Sequence, residues 1–394
     1  MRSDCNLFSR LYIATQHRSG DLDEFFMHEN QPYPPSLSEF RKLRFGKKSD
    51  LWTCVKPANT EQPNPPPFYD CKIFDGAAVV HALPSTTVST FDSYAENVFV
   101  PFILNHLQSS KRVDIVWDTY RANSIKDSTR DKRGIGQRRK VTGETRIPTN
   151  WNTFLQENTN KKELFALLTS RVSNFQFPEN KEVNITSDES VVTSRGSSDM
   201  QRYHHEEADT RIAVHVQHTL DEGYKQAFVR TVDTDVLVIL IGLFHNMIAS
   251  YPSAAIRIGL GMGKYKVQYI SVNSTRAFLG AETSRALLMF YSFAGCDMTS
   301  CFFGKGKKSA WEAWKSFPEV TEAFTFLENH PYYQLDTDDS IFKLLERFTV
   351  VLYDKTSNVL DVNEARKEIL TKKDRPWRTY LLHRYIELQT FCKE

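Results

Sequence analysis

The pattern of apolar and polar positions predicts strands that alternate with helices over much of the chain. Short apolar runs at residues 71–74, 113–117 and 227–232 have the length of buried strands, and each is followed by an aspartate. Apolar residues recur at helical spacing through residues 208–220, and residues 94–107 also fit a helix. This alternation predicts an α/β core with a mainly parallel sheet.

The other segments differ in character. Residues 1–70 carry many prolines and predict an extended or weakly ordered arm, and residues 121–205 predict loops with one helix near 162–171. Residues 256–272 predict a hairpin, and the chain after residue 277 has an almost wholly helical pattern. We therefore expect an arm (1–70), a core with an insertion at about 121–205 (71–300) and a helical C-terminal region (301–394).

The charges cancel over the whole chain but not along it. The 394 residues include 50 Lys and Arg and 48 Asp and Glu, which gives a formal net charge of +2. Residues 111–146 carry eleven basic and five acidic side chains, whereas residues 316–365 carry three basic and ten acidic ones. Near-neutrality therefore does not exclude a nucleic acid as partner, because a local basic segment can still attract a phosphate backbone.

Cysteine usage and hydropathy predict an intracellular, soluble protein with no membrane partner. The six cysteines include no Cys-x-x-Cys pair, and the N-terminus lacks the apolar stretch of a signal peptide. The longest apolar run, residues 236–244, is far shorter than a membrane span of ~20 residues. Nuclear residence would suit a DNA substrate, although the sequence contains no clear import signal.

Carboxylates follow the three predicted strands at the ends that a parallel sheet would bring to one edge. Asp75, Asp118 and Asp233 come directly after these strands, and Asp235 follows two residues later. A single acid in this position is common in turns. Ligands of parallel sheets bind at the carboxyl ends of the strands, however, so three such acids together indicate a shared site.

Further carboxylates extend this acidic group. Glu207 and Asp209 begin the predicted helix at 208–220, and Asp297 follows an apolar helical stretch in which an unpaired carboxylate would be costly. Clustered carboxylates repel one another unless divalent cations neutralise them, and all-oxygen sites select Mg²⁺ or Mn²⁺. Two such ions, about 3.5–4 Å apart, activate a water molecule and stabilise the leaving oxygen in phosphodiester hydrolysis. This is the chemistry that the acids favour.

Five sequence blocks, taken in order, resemble the PIN-like 5′-nuclease superfamily, most closely its flap endonuclease and XPG branch. The blocks are KIFDGAAVV (72–80), VDIVWDTYR (113–121), EADTRIA (207–213), TVDTDVLV (231–238) and GCDMTSCFFGKGKKSA (295–310). The last block is the most specific, because in the family a Gly-Cys-Asp is followed after six residues by Gly-x-Gly and a basic helix start. The blocks lie within residues 71–311, about three-fifths of the chain.

The resemblance implies a PIN-like three-layer core with a mainly parallel sheet, followed by a helix–two-turn–helix and a helical C-terminal region. It implies two Mg²⁺ or Mn²⁺ ions in the core and a monovalent cation at the helix–two-turn–helix. The family's metal ligands correspond to Asp75, Asp118, Glu207, Asp209, Asp233, Asp235 and Asp297. Asp75 and Asp118 would be catalytic, together with Lys126 and Arg130 as neutralisers of the scissile phosphate. The residues expected to contact nucleic acid, DNA in preference to RNA, are Arg121, Lys126, Arg130, Arg133, Gly304, Lys305, Gly306, Lys307 and Lys308.

Two other functions fit parts of the sequence. A non-catalytic nucleic-acid-binding protein on the same fold would use the basic segments, but it would not need all seven acids. A haloacid-dehalogenase-like phosphatase would also place Asp233 and Asp235 after an apolar strand. That family has Thr or Val where this chain has Leu237, and it gives no reason for the glycines at 304 and 306.

Two groups of side chains are interpreted as structural. Trp311, Trp314 and Phe317 have helical spacing, which predicts core packing rather than base stacking. We interpret the histidines near Glu207 as a polar helix face rather than zinc ligands, because they would compete with hard oxygen ligands; they are His204, His205, His215 and His218.

Overall fold

A seven-stranded sheet organises one of the two compact units of this protein. The computed structural model describes residues 33–34, 36–56, 68–120, 136–196, 200, 205–261 and 267–371. One unit comprises Lys56–Ser284 and contains the sheet, and we call it the sheet unit. The other, here the helical unit, combines Met1–Val55 with Arg285–Glu394, so it is built from both ends of the chain.

Strands and helices alternate through the sheet unit, and helices follow it. The N-terminal segment contributes β1 (Ser38–Glu39), β2 (Lys42–Leu43) and α1 (Asp50–Val55). The sheet unit contains β3 (Tyr69–Asp75), α2 (Gly76–Ala82), α3 (Phe91–Tyr94), a π-helical turn (Ala95–Phe99), α4 (Val100–Leu107), β4 (Ser110–Val116), α5 (Trp151–Gln156), α6 (Asn158–Ser173), β5 (Glu182–Ser187), β6 (Ser190–Thr193), α7 (Ala208–Asp221), β7 (Gln226–Thr231), α8 (Thr234–Met247), β8 (Ala255–Leu260), β9 (Gln268–Ser271) and α9 (Val272–Leu279). The remaining helices are α10 (Ala281–Phe293), α11 (Lys307–Ser316), α12 (Val320–Asn329), α13 (Ser340–Tyr353) and α14 (Val362–Thr371).

The order of the strands reverses between β3 and β7. Across the sheet the order is β6-β5-β4-β3-β7-β8-β9. The five central strands are parallel, and the edge strands β6 and β9 are antiparallel to their neighbours β5 and β8. Phe74 of β3 has Ile115 of β4 as its Cα partner on one side and Arg230 of β7 on the other. In α/β sheets, ligands bind outside the carboxyl ends of the strands at such a reversal.

Helices cover both faces of this sheet. On one face, α2 to α6 bury the alternate apolar residues of β3, β4 and β5, namely Phe74, Val113, Ile115, Val183 and Ile185. On the other face, α7 packs against β3, β4 and β7, and α9 packs against β8 and β9. The apolar stripe of α7 is fully buried, and full burial of each such side chain stabilises the fold by about 1.5–3 kcal/mol.

Aromatic side chains form the core of the helical unit. Phe290 of α10 stacks on Trp314 of α11, with ring centroids 4.6 Å apart, and it also contacts Trp311 and Phe324. Trp311 and Trp314 are both 5% exposed, which confirms that they are core residues.

The N-terminal segment is an integral part of the helical unit. The backbone N–H of Phe303 donates to Ser36, and that of Cys301 donates to Arg44. Leu51 and Val55 of α1 are buried, and α1 packs against α11. These contacts join residues that are more than 250 positions apart in sequence. The local composition, which is rich in proline and predicts an arm, cannot reveal partners at such a distance.

The structure confirms an α/β protein with a mainly parallel sheet, the antiparallel pair β8–β9 and the helical pattern after residue 277. Between residues 136 and 196 it confirms the helix expected near 162–171, which is part of α6, but α5, β5 and β6 lie where loops were expected. β5 was missed because Glu182, Asn184 and Thr186 occupy alternate positions, and two of these three polar residues are fully buried. None of the described helices is long and apolar enough to span a membrane.

Candidate metal centre

Two of the predicted acids lie side by side where the strand order reverses. Asp75 is the last residue of β3 and caps α2, since its Oδ1 accepts a hydrogen bond from the N–H of Ala78 at 3.1 Å. Asp233 follows β7 and caps α8, since its Oδ1 accepts from the N–H of Asp235 at 2.9 Å. Thr231 connects the two strand ends by donating its hydroxyl to Asp75 Oδ2 at 3.5 Å.

Backbone hydrogen bonds bring the start of α7 to the end of β4. Asp118 lies two residues after β4, and its Oδ1 accepts from the N–H of Ala208 at 2.9 Å. The N–H of Thr119 donates to the carbonyl of Glu206 at 2.7 Å. Glu207 at the N-cap position and Asp209 in the first helical turn are thereby placed beside the strand ends.

Three of the acids form a compact group of potential ligands. Asp209, Asp233 and Asp235 each offer a carboxylate oxygen, and these oxygens lie within 4.8 Å of one another. They come from α7, the β7–α8 connection and the first turn of α8, so tertiary structure alone assembles the group.

Mutual repulsion links this group to the neighbouring acids. Burial raises the pKa of Asp75 to about 7, and the charges of Asp118 and Asp233 contribute to that rise. Burial also raises the pKa of Asp209 well above its usual range, with further contributions from Asp233, Asp235, Glu207 and Asp75. The six expected metal ligands of the sheet unit therefore interact as one electrostatic cluster, which we call the acidic cluster. Its members are Asp75, Asp118, Glu207, Asp209, Asp233 and Asp235.

The acidic cluster fits a hard divalent cation. All its side-chain donors are carboxylate oxygens, which is the ligand chemistry that Mg²⁺ and Mn²⁺ favour. The starts of α2, α7 and α8 carry these acids, and the helix dipoles offset part of the repulsion. The raised pKa values of Asp75 and Asp209 indicate that repulsion remains, and a bound cation would neutralise it.

The seventh expected ligand, Asp297, belongs to the helical unit. It follows α10, and its Oδ2 lies 2.6 Å from the Nζ of Lys48 in an ion pair. The carboxylate is therefore partly neutralised by the N-terminal segment of its own unit. Four of the basic residues expected to contact nucleic acid lie outside the described residues; they are Arg121, Lys126, Arg130 and Arg133.

The glycine- and lysine-containing segment at 304–308 precedes and begins α11. Gly304 has a positive φ of 68°, and Gly306 occupies the N-cap position of the helix. Lys308 is exposed, and Lys305 lies over the ring of Tyr353 with its Nζ 5.1 Å from the centroid. Glycines therefore form the turn before α11 and its N-cap position, and contact of this segment with nucleic acid stays a prediction.

Lys307 differs from the other residues of this segment because it is fully buried. Its ammonium donates to the carbonyl of Tyr291 at 2.5 Å and to the carbonyl of Gly295, and it lies 3.8 Å from the centroid of the Tyr291 ring. The protein itself satisfies this cation. The structure therefore gives Lys307 an internal role in place of the expected contact with nucleic acid.

A buried charged network, which sequence reasoning missed, anchors α7 to β4. Arg112 donates to both carboxylate oxygens of Asp114 at 2.7 Å, and His215 Nδ1 lies 2.6 Å from Asp114 Oδ2. His218 Nδ1 lies 2.9 Å from Arg112 Nη1, and Asn184 donates to Asp114 at 3.3 Å. The interpretation of His215 as part of a polar helix face is corrected here, since it is 0% exposed. The signal in the sequence is the pair Arg112 and Asp114, which alternate with the apolar Val113 and Ile115 and so share the other face of the strand.

The charges of this network follow from its contacts. Burial raises the pKa of Asp114, but Arg112 and His215 outweigh burial and hold it well below its usual range. Burial lowers the pKa of His215, and the opposing effect of Asp114 is smaller. The network therefore consists of a charged Arg112–Asp114 pair and a neutral His215 that fixes the direction of α7.

Comparisons with known proteins leave the chemistry to be inferred from this geometry. No family model matches the chain, and no curated protein matches it either.

Proposed function

We propose that this protein is a divalent-metal-dependent nuclease that hydrolyses phosphodiester bonds in nucleic acid, in DNA rather than RNA. The observation that carries this proposal is the acidic cluster at the reversal of strand order, in which Asp209, Asp233 and Asp235 present oxygens within 4.8 Å of one another. The sheet with helices on both faces is compatible with the PIN-like core that the sequence blocks imply. A cluster of this composition needs cations for neutralisation, and phosphodiester hydrolysis uses cations so placed.

The residues of the chain would hold the cations and fix the site in advance. Asp209, Asp233 and Asp235 would bind a cation directly, and Asp75, Asp118 and Glu207 would complete the ligand set. When bound, the cations supply Lewis acidity for the attack of water and for the departure of the leaving oxygen.

Hydrogen bonds already orient several of these carboxylates. Asp75 is held by the N–H of Ala78 and the hydroxyl of Thr231, and Asp118 is held by the N–H of Ala208. Carboxylates fixed in this way reorganise little during the reaction, which is the main source of electrostatic catalysis.

Basic residues outside the acidic cluster would contact the substrate. The segment 111–146 carries the largest local excess of positive charge, and we propose that Arg121, Lys126, Arg130 and Arg133 bring phosphate to the acidic cluster. At the start of α11, Gly304, Lys305, Gly306 and Lys308 would bind the phosphates of a duplex beyond the cleavage site. A monovalent cation at this segment remains part of the proposal.

A nuclease assay tests the acidic cluster directly. Purified full-length protein is incubated with flap, hairpin, single-stranded and duplex DNA and RNA, in Mg²⁺, in Mn²⁺ and in EDTA. We expect cleavage by wild type in either cation and no cleavage in EDTA. In the double variant Asp233→Asn/Asp235→Asn, the cleavage rate should be lower by about a hundredfold or more, because both substitutions remove a cation ligand. Asp338→Asn is the matched control, since it makes the same change at an exposed position of the helical unit.

Three outcomes would overturn this function. Equal cleavage by wild type and the double variant would place catalysis elsewhere or in a contaminant. Tight binding of DNA without cleavage under any of these conditions would favour a non-catalytic nucleic-acid-binding protein. Release of phosphate from small phosphomonoesters without polynucleotide cleavage would favour a phosphatase. Asp297→Asn in the same assay tests whether that residue is a ligand.

A further inference from the structure

One face of the sheet carries three basic side chains, two of them cations, that form no ion pair with a carboxylate of the described residues. Lys72 lies on β3, Arg230 on β7 and His106 in the last turn of α4. No carboxylate of the described residues forms an ion pair with any of the three. We call these three residues the cationic patch.

The register of the strands places Lys72 and Arg230 on the same face. Lys72 has Phe228 of β7 as its Cα partner, and Phe74 has Arg230. Lys72 and Arg230 are therefore diagonal neighbours around the side chain of Phe74. His106 completes the patch, because its ring lies 4.6 Å from the ring of Phe74, centroid to centroid.

The contacts within the protein leave much of this positive charge uncompensated. Lys72 is 7% exposed, and its Nζ donates to the hydroxyl of Ser109 at 2.5 Å, a neutral acceptor. Arg230 is half-buried and extends along β8 beside Gly259, where an added Cβ would lie 2.9 Å from its Nη1. The absence of a side chain at residue 259 thus leaves room for the guanidinium.

The carboxylate at the start of β3 is engaged elsewhere. Asp70 lies 2.8 Å from the Nζ of Lys111, and it also accepts the backbone N–H groups of Lys225 and Gln226. These bonds tie Asp70 to the opposite end of the strand from Asp75. It therefore does not neutralise the patch.

The electrostatic effect of the patch is visible in its own members. Burial lowers the pKa of His106 to about 4, and the positive charges of Lys72 and Arg230 lower it further in the same direction. Burial also lowers the pKa of Lys72 and of Arg230. Partly buried cations without counter-ions are costly, so an anion from solution would stabilise this face.

We propose that Lys72, His106 and Arg230 form a binding site for a phosphate group, carried either by a free nucleotide or by a polynucleotide backbone. Arginine binds phosphate through two parallel N–H donors, and lysine adds a point charge. The half-buried side chains of His106 and Arg230 keep the site in contact with solvent. The site is independent of catalysis by the acidic cluster.

The cationic patch lies on the same strands as the acidic cluster but apart from it. Lys72 precedes Asp75 by three residues, and Arg230 precedes Asp233 by three. At about 3.3 Å per residue, this separation is roughly 10 Å along the strands. A phosphate in the patch would therefore not occupy the acidic cluster.

Phosphate binding in EDTA tests the site without any contribution from bound cations. Inorganic phosphate is titrated into the full-length protein, and the affinity is measured by calorimetry and by the shift of the His106 imidazole resonances at constant pH. We expect binding by wild type, and binding weaker by about tenfold or more in Lys72→Met and in Arg230→Met, because each loses a charged hydrogen bond. Lys225→Met is the matched control, since Lys225 is an exposed lysine on the connection before β7, and its affinity should equal that of wild type.

Two further variants separate a binding defect from a folding defect. Arg230→Lys keeps the charge and should retain most of the affinity. Gly259→Ala places a Cβ against Phe228 and Arg230 and should weaken phosphate binding although it changes no charge. Thermal unfolding of each variant shows whether it is folded.

The source of the phosphate follows from two parallel titrations. A nucleoside monophosphate that binds more tightly than an oligothymidylate, per site, indicates a nucleotide site, and the reverse indicates a backbone site. The proposal is overturned if wild type binds none of the three probes. It is equally overturned if Lys72→Met and Arg230→Met, both folded, bind phosphate as wild type does.

Discussion

Gly76 leaves space for the indole of Trp117 directly beside Asp75. A Cβ at this position would contact the six-membered ring of Trp117, with the Cδ2 atom only 2.9 Å away. Trp117 cannot shift easily, because it stacks on Phe165 with centroids 4.1 Å apart and donates its indole N–H to Thr169 at 3.1 Å. The absence of a side chain at residue 76 therefore lets the start of α2 pack closely against Trp117.

Gly76→Ala should destabilise the protein strongly. We expect a loss of about 1–3 kcal/mol in the free energy of unfolding, the usual cost of overpacking, measured by urea denaturation. Gly306→Ala is the matched control, because a Cβ there meets no atom within 4 Å, and it should cost about 1 kcal/mol or less. Equal stability of Gly76→Ala and wild type would show that Trp117 moves freely.

At the scale of elements, the position of α7 against β4 decides whether its acids reach the strand ends. Asp209 lies in the first turn of α7, and His215 lies less than two turns later on the same helix. His215 holds that part of the helix against Asp114 of β4 at 2.6 Å. The buried network thus positions Glu207 and Asp209 through the helix that carries them.

His215→Gln should lower the free energy of unfolding and remove the part of its pH dependence that His215 contributes. Loss of the buried hydrogen bond to Asp114 is expected to cost about 1–3 kcal/mol at pH 7. The pKa of His215 is lowered in the fold, so the unfolded chain takes up this proton first, and the contribution of His215 to stability falls as pH drops below about 6.5. The stability difference between wild type and the variant should therefore become smaller in this range.

Denaturant titrations at pH 7 and pH 5.5 measure this difference. His330→Gln, at an exposed position of α12's C-cap, should leave the profile of wild type unchanged. An equal change in stability of variant and wild type between the two pH values would show that the pKa of His215 is not lowered as its burial requires.

At the scale of the whole molecule, the acidic cluster couples stability to cations and pH. Without cations, the raised pKa of Asp75, about 7, means that the folded state retains protons which the unfolded chain has released above about pH 4. The contribution of Asp75 to the stability of the cation-free protein should therefore fall as pH rises from about 4 to 7. Above that range the carboxylates are ionised and repulsion is greatest.

Mg²⁺ or Mn²⁺ should accordingly raise the melting temperature more at pH 8 than at pH 5. The increase follows from binding to the folded state alone, and it should largely disappear in Asp233→Asn/Asp235→Asn. In EDTA at pH 8 the double variant should melt at a higher temperature than wild type, because it carries less repulsion. An equal effect of the cations on both proteins would place their binding outside the acidic cluster.

The local pattern of apolar and polar residues predicted several central elements of the fold. The apolar runs before Asp75, Asp118 and Asp233 predicted β3, β4 and β7, because a buried strand is recognisable from a few consecutive residues. The helical spacing that begins near Glu207 likewise predicted α7. The acids were identifiable from the same pattern, since each stands where an apolar run stops.

Pattern failed where burial depends on a distant partner. Glu182 and Asn184 alternate with Val183 and Ile185 in β5, and these polar residues face the network around Asp114. Lys307 resembles a surface cation in sequence, yet its ammonium donates hydrogen bonds to the carbonyls of Tyr291 and Gly295 inside the helical unit. A buried polar residue is tolerable only when its partners are present, and these partners belong to other elements, beyond the window in which periodicity is read.

The sequence by itself determined the alternation of strands and helices and the residue types at the strand ends. Only the tertiary structure decided that β3 lies between β4 and β7, which is what brings Asp75 beside Thr231 and Asp233. It also decided that Asp209 meets Asp233 and Asp235, and that Lys72 and Arg230 share one face of β3 and β7 without an ion pair to a carboxylate of the described residues. The reason is physical: periodicity reports how one residue relates to its near neighbours, whereas charge clusters depend on which elements pack together.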